Sequence, residues 1–335
     1  MKKFLSLIGT LALLAGLTIT GCKKDDTTAP SDQAPAGVTN EQSAMANAAS
    51  TDEFVTDASD VYAFSDAGIA PTNYSDATSL SKIDTAINPL RWGRFINSVT
   101  RTISVTVLPG DTLAYAHVTR MVTGTLKIRT TLDGVDTVFT KAFTDTSGKN
   151  VVFERRSHDT RHFWMNWVPV ATSLVVGGTD PMPANNGIQI TKVQLFGGGD
   201  SITVTNPEDF WLRYQWIPWL GFIRGHRGNV PVFTLGDSVS ISVTLLSQSS
   251  DTDMVAIRNG FGLQSHHFLR ARMTLMSQSG PDGNGFYTKV YTKTLRVPYT
   301  PGSFHVGIDA ITRGTLYDSN APYSASWWGV PYRMY

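Results

Sequence analysis

Past Trp92 the chain alternates apolar and polar residues with a period of two. Ile103, Val105 and Val107 are separated by Ser104 and Thr106, and Leu126 and Ile128 by Lys127. Val239, Ile241, Val243 and Leu245 alternate with Ser240, Ser242 and Thr244, and Phe304, Val306, Ile308 and Ala310 repeat the pattern further on. Successive strand residues point to opposite faces, so each run buries one face and wets the other, as antiparallel sheets do. Turn-forming clusters punctuate the runs at Pro109-Gly110-Asp111, Asp133-Gly134, Gly177-Gly178, Gly197 to Asp200, Leu235-Gly236-Asp237 and Pro281 to Gly285. The pattern predicts strands near 98–108, 114–131, 136–143, 150–156, 163–176, 188–196 and 201–205. A second set is predicted near 230–234, 238–246, 253–258, 268–278, 286–297, 304–311 and 327–334. Seven short strands in each stretch of about 100 residues is the spacing of a two-sheet sandwich. The expected fold is all-β, with two antiparallel β-sandwich domains over residues 91–228 and 229–335. One larger β-domain is the alternative.

Before residue 91 the pattern is different. Lys2 and Lys3 precede an apolar run from Phe4 to Leu17, broken by Ser6, Gly9, Thr10 and Gly16. The run is too short and too interrupted to span a bilayer and has the shape of a secretory signal. Ile19-Thr20-Gly21-Cys22 follows it directly. This tetrapeptide resembles the lipobox of bacterial lipoproteins, which implies removal of residues 1–21 as a signal peptide and a covalent lipid on Cys22. Cys22 is the only cysteine of the chain. A partnerless thiol is a liability in an oxidising compartment, whereas a lipidated one is not. An ordinary signal with a chance cysteine is the other reading.

Lys23-Lys24-Asp25-Asp26 resembles the charged export signal behind the lipid cysteine in some surface lipoproteins. A charged soluble tether reads the same way, so a periplasmic and a surface face both stay open. Residues 22–38 are small, polar and interrupted by proline, the composition of a flexible tether. Thr39-Asn40-Glu41-Gln42 then fits a capping box, with Thr39 as N-cap and Gln42 reaching back. Met45, Ala48, Val55, Ala58 and Tyr62 share one helical face. A short amphipathic helix is expected within Asn40–Asp60, inside a helical and linker segment spanning residues 39–90.

Loss of residues 1–21 removes Lys2 and Lys3, leaving 26 basic against 27 acidic side chains, a formal charge of −1. No basic field exists to attract nucleic acid, which is therefore not an expected partner. Only 16% of residues are charged, and no second cysteine is present for a disulfide within the chain. Apolar burial must stabilise the fold. In strand number, strand spacing and the Pro301-Gly302-Ser303-Phe304 lead-in to a late strand, each half resembles an immunoglobulin-like or fibronectin-III-like sandwich. The Cys–Trp–Cys signature of antibody domains is absent.

Aromatic residues are concentrated in two runs. Phe210 to Phe222 holds six, among them Trp211, Tyr214, Trp216 and Trp219, and Trp327, Trp328 and Tyr332 lie close to the carboxyl end. Exposed Trp and Tyr faces stack on pyranose rings while their polar tips bond hydroxyls, so Trp211, Tyr214, Trp216, Trp219, Trp327 and Trp328 are candidate ligand-binding residues. The competing reading packs them into a domain seam and a core, which Pro218, Leu220 and Phe222 favour.

Catalytic and metal signals are sparse. Ser157-His158-Asp159 has triad residue types in a row, but triads are assembled in space and adjacent strand residues diverge. His158 with His162, and His266 with His267, have pair spacings that strands would pull apart. Asp251, Asp253, Asp282 and Asn284 are calcium-type oxygen donors without a full spaced ligand set. The G-x-S-x-G, H-E-x-x-H and C-x-x-C patterns are absent. Glu208-Asp209, beside Phe210-Trp211, is the acid–base candidate should the protein be an enzyme. The expectation is a non-enzymatic, lipid-anchored envelope protein with a structural, adhesive or ligand-binding role. It would be held at the outer membrane through Cys22, need no cofactor or metal, and meet a polysaccharide or an envelope protein. A carbohydrate-binding lipoprotein is the first alternative and a secreted hydrolase the second.

Overall fold

The computed structural model describes residues 39–51, 91–132, 134–180, 187–198, 200–215, 225–226, 232–260, 268–296 and 302–334. Cys22 and the rest of the predicted tether, Val55, Ala58 and Tyr62, Trp216 and Trp219, and His266-His267 lie outside these residues. Within them the chain is all-β, with two antiparallel sheets in a sandwich-like arrangement and two short α-helices.

Helix α1 (Glu41–Thr51) begins one residue later than the capping box predicts. Asn40 is the cap: its Oδ1 accepts from the Ser43 N–H at 2.8 Å, while Ser43 Oγ accepts from the Asn40 N–H at 3.0 Å. Three long strands follow, β1 (Arg91–Val107), β2 (Leu113–Leu132) and β3 (Val135–Arg155), in consecutive antiparallel pairing. At about 3.3 Å per residue β2 runs for about 65 Å. The expected break between 143 and 150 is absent, because Asp145, Ser147 and Lys149 face the interior and β3 continues through them. Next come β4 (Trp167–Ser173), β5 (Val175–Thr179), β6 (Ile188–Gly197), β7 (Asp200–Val204), β8 (Trp211–Gln215) and β9 (Gly225–His226).

The remainder is β10 (Val232–Phe233), β11 (Ser238–Ser247), β12 (Met254–Gly260), β13 (Phe268–Arg272), β14 (Thr274–Ser279), β15 (Tyr287–Arg296), β16 (Gly302–Ile311), helix α2 (Arg313–Tyr317) and β17 (Ala325–Met334). The smaller sheet has the order β14-β15-β11-β6-β7, and the larger runs β13-β12-β16-β17-β5-β3-β4-β8-β9, with β2 and β1 continuing from β3. A two-residue parallel contact of β10 with β17 is the exception to antiparallel pairing.

Both sheets cross the expected domain boundary at 228/229. β17 pairs with β5, from Ser326↔Gly178 to Gly329↔Val175, and β11 pairs with β6. The two halves therefore share sheets rather than forming separate sandwiches. Their common core packs Leu174, Ile190, Val193 and Leu212 from the first half against Val243, Val255, Ile308 and Trp328 from the second. Gly177-Gly178 is strand rather than turn. A Cβ on Gly177 would lie 2.2 Å from the Trp327 ring, so the glycine is the space into which that indole packs.

The opposite face of the large sheet is concave. Leu126 and Ile128 of β2 share a core with Met254 of β12 and Ile311 of β16, so the sheet curls until distant strands meet. Arg94 on β1 spans the gap: its two terminal nitrogens donate to the Asp309 carboxylate of β16 at 2.8 and 3.0 Å. Arg94 Nε donates to Tyr323 Oη at 2.7 Å, and that hydroxyl donates to Asp145 Oδ2 at 2.9 Å. At the other end of β2 and β3, α1 closes the concave face by burying Met45 and Ala49 against Ala114, Ala116, Val151, Phe153 and Trp167.

Candidate functional site

The described tryptophans of the predicted platform separate into interior and surface. Trp327 and Trp328 are 2% and 3% exposed, on opposite faces of β17, and belong to the cores. They are excluded from stacking on a ligand, because Trp328 packs in the shared core and Trp327 packs over Gly177 and against Val175 of β5. Trp211 is half-buried. Its neighbour Leu212 points into the shared core, so strand alternation turns Trp211 the other way. Tyr214 lies three residues along the same strand, its backbone paired with His226.

Trp211 meets an aromatic residue that sequence order does not suggest. Tyr115 of β2, 38% exposed, lies edge-on to it with ring centroids 6.3 Å apart and planes at 63°. Edge-to-face contact of this kind holds two rings in a fixed relation and leaves faces free. Along the outward face of β2 the next residue is His117, opposite Asn150 of β3, and its Nδ1 is 2.7 Å from Asn150 Oδ1. In the tautomer that donates to this amide oxygen, Nδ1 carries the proton and Nε2 is an acceptor.

Gly148 follows Asn150 two positions back on the same face of β3. A Cβ there would sit 3.3 Å from His117 Cε1, 3.6 Å from His117 Nε2 and 3.5 Å from Glu208 Oε1. The imidazole and the carboxylate thus converge over a bare stretch of backbone. Glu208 is set by the turn Pro207–Asp209 after β7. Buried Pro207 accepts from the Leu174 N–H at 3.1 Å through its carbonyl, and Asn206 Oδ1 caps the turn at the Glu208 N–H. Asp209, the other half of the predicted acidic pair, is taken up by Asn206 Nδ2 at 2.5 Å and does not share the site. The assembled surface is an aromatic shelf, Tyr115 and Trp211, with a polar rim of His117, Asn150 and Glu208. It can accept hydroxyl protons at Glu208 and His117 Nε2, donate from Asn150 Nδ2, and offer ring faces to apolar sugar faces.

The other polar candidates are engaged elsewhere. Ser157 Oγ donates to Asn166 Oδ1, His158 Nδ1 contacts Arg155, and Asp159 pairs with His162 at 2.8 Å. The row Ser157-His158-Asp159 is therefore not assembled as a triad. The imidazole of His162, together with the N–H groups of Arg161 and His162, holds the Asp159 carboxyl below its usual range. Asp253 is fully buried on Lys289, and Asp282 Oδ1 accepts from the N–H groups of Asn284 and Phe286 within its turn. Among the described residues no three His, Cys, Asp or Glu side chains converge as a metal site. No described helix is long and apolar enough to cross a membrane.

Sequence proximity alone finds Glu208 and Trp211. Tyr115, His117, Gly148 and Asn150 come from strands roughly sixty to ninety residues earlier and are joined to them only by sheet pairing. The available signal is Ala114-Tyr115-Ala116-His117, where small residues turn inward and large polar-tipped ones outward. Compared with known proteins, the chain matches no family model, no curated protein and no solved structure.

Proposed function

We propose that this chain is a lipid-anchored protein of the bacterial cell envelope that binds an envelope saccharide without transforming it. The lipid on Cys22 would tether the mature chain to the outer membrane, and the shelf formed by Tyr115 and Trp211 would receive the sugar. One observation carries the ligand reading: an exposed tyrosine and a tryptophan, fixed edge to face, lie on the same sheet face as Gly148, over which His117 and Glu208 converge. Pyranoses present an apolar face and a hydroxyl rim, which such a surface matches.

The test is affinity electrophoresis and tryptophan fluorescence with a panel of soluble envelope polysaccharides and glycan fragments. Binding by wild type should fall at least tenfold in Tyr115→Ala and in Trp211→Ala, the order expected for loss of one stacked ring at roughly 1.4 kcal/mol per tenfold. Equal retention of wild type and both variants would sink the reading. Release of shortened products, rather than retention, would assign the hydrolase alternative, with Glu208 and His117 as its acid–base pair.

A further inference from the structure

Between β3 and β4 the chain makes a loop, Arg156 to Asn166, that ends on the 3-10 turn Phe163-Trp164-Met165. Three features set it apart. Its apolar side chains lie outside the described cores: Met165 is 39% exposed, and Phe163 and Trp164 are half-buried where the turn meets α1. Its rings are ordered, with Trp164 edge-on to Phe163 at 5.2 Å and to His162 at 5.4 Å. Its base is fastened. Asn166 is buried, receives Ser157 Oγ and the Asp159 N–H on its Oδ1, and donates from Nδ2 to Glu41 at 2.8 Å.

That last bond places the loop. Glu41 opens α1, and its carboxylate also receives Arg155 Nη1 and Nη2 and Trp167 Nε1. Arg155 Nη2 donates in turn to Asp111 in the turn joining β1 and β2. The first described residue, Thr39, two positions before Glu41, is therefore beside this loop. The stretch from Cys22 to Thr39 is short enough to span at most about 60 Å. The tip of the β2–β3 hairpin, with Val135 64% exposed, lies at the other end of strands about 65 Å long.

From this placement we infer that Phe163, Trp164 and Met165 form a foot that seats this end of the protein in the headgroup interface of the membrane holding the lipid. The inference rests on the lipid-anchor reading of Cys22. Tryptophan and its aromatic neighbours settle at the membrane–water interface, where a ring can be apolar on one side and wet on the other. Charge contributes little. Arg155, Arg156 and Arg161 are matched locally by Glu41, Asp111, Glu154 and Asp159, with Arg156 bonded to Glu154 at 3.2 Å. Seating is thus insensitive to salt and does not require anionic lipid. The foot orients and does not retain; retention belongs to the acyl group. It also brings the Tyr115 shelf, about 10 Å along β2 from the Asp111 turn, within reach of saccharide headgroups at the membrane surface.

The full lipidated chain carries no free thiol if Cys22 is modified, so Met165→Cys and Val135→Cys each create a unique labelling site. Each variant is labelled with an environment-sensitive dye and reconstituted into vesicles of phosphatidylethanolamine and phosphatidylglycerol. The expected result is one dye per chain, a blue shift at position 165 that survives high salt, none at 135, and loss of the shift when Trp164→Ser is added. One dye per chain with no shift at 165, or equal shifts at 165 and 135, overturns the foot alone. Two dyes per chain show that Cys22 is unmodified, and then the anchor and the foot fall together.

Discussion

Replacing Glu41 by alanine should undock α1 without unfolding the sheets. The carboxylate receives four hydrogen bonds from three side chains: two from Arg155, one from Asn166 at 2.8 Å and one from Trp167 at 3.0 Å. A hydrogen bond to a charged group contributes about 1.5–3 kcal/mol, and truncation also leaves the Asn166 and Trp167 donors unmatched. Glu41 is partly open to water, which can replace some of these bonds, so the low end applies and the whole substitution should cost about 2–4 kcal/mol. At 1.4 kcal/mol per tenfold that is roughly a 30-fold to 1,000-fold rise in local opening.

Met45 and Ala49 form the buried face of α1, so its opening appears as faster amide exchange over residues 44–51 while β11 and β16 stay protected. The same carboxylate gives a pH signature. Burial pushes its pKa up, but the hydrogen bonds from Trp167, Asn166 and Arg155 outweigh it and hold it below the ordinary 4.5. A group depressed in the folded state contributes fully above its unfolded pKa and loses that contribution as pH falls through the folded value. Docking of α1 is therefore complete at neutral pH and loosens in acid, and Glu41→Gln should abolish that acid dependence. Exchange in Glu41→Ala within about threefold of wild type, well under 1 kcal/mol, would refute the reasoning.

Two further predictions concern buried charge. Lys289 Nζ and Asp253 Oδ2 are 2.7 Å apart with both side chains fully buried, and Asp253 Oδ1 also accepts from the Arg313 N–H. Lys289→Met or Asp253→Leu alone should each cost about 3–5 kcal/mol in urea unfolding, while the double variant recovers most of it; single losses under about 1 kcal/mol refute this. Burial lowers the Lys141 amine from 10.5 to about 8 against the pull of Asp318, so the unfolded chain binds the extra proton between those values. Stability in wild type relative to Lys141→Met should consequently rise as pH climbs from about 8 toward 10.5. Thermal melts that show a flat difference across that range would dismiss it.

How much of this was readable in advance depends on whether the physics is local. β11 was legible because its buried and wetted faces alternate cleanly over Ser238–Ser247. The middle of β3 was not: its inward positions carry Asp145, Ser147 and Lys149, so both faces read as polar and the strand seemed to stop. Gly177-Gly178 mimics a turn because the requirement for glycine comes from Trp327, some 150 residues away. Pairing across the expected boundary at 228/229 was hidden for the same reason. Pairing of β17 with β5 and of β11 with β6 is decided by long-range register, which strand counting cannot see. In the candidate site, Glu208 and Trp211 were found because they are neighbours in sequence. Trp327 and Trp328 were over-read because an aromatic pair looks alike whether it ends in a core or on a surface.

The polar interior of the concave face explains how strands so far apart can define one surface. An apolar interior would draw β1 toward β16 but would leave their relative sliding weakly specified, since side chains of similar volume exchange at little cost. A guanidinium fork on a carboxylate tolerates little sliding. Arg94 bonds both oxygens of Asp309, passes through Tyr323 to Asp145, and so ties β1, β3 and β16 at a single register. Asp145 lies on the inward face of β3, three residues from Gly148, which faces the shelf. The network that ties β1, β3 and β16 and the convergence of His117 and Glu208 over Gly148 thus occupy opposite faces of one short stretch of β3. Asp145, one of the inward polar residues that make both faces of this strand read as polar, is thus a member of the network that sets the sheet's register.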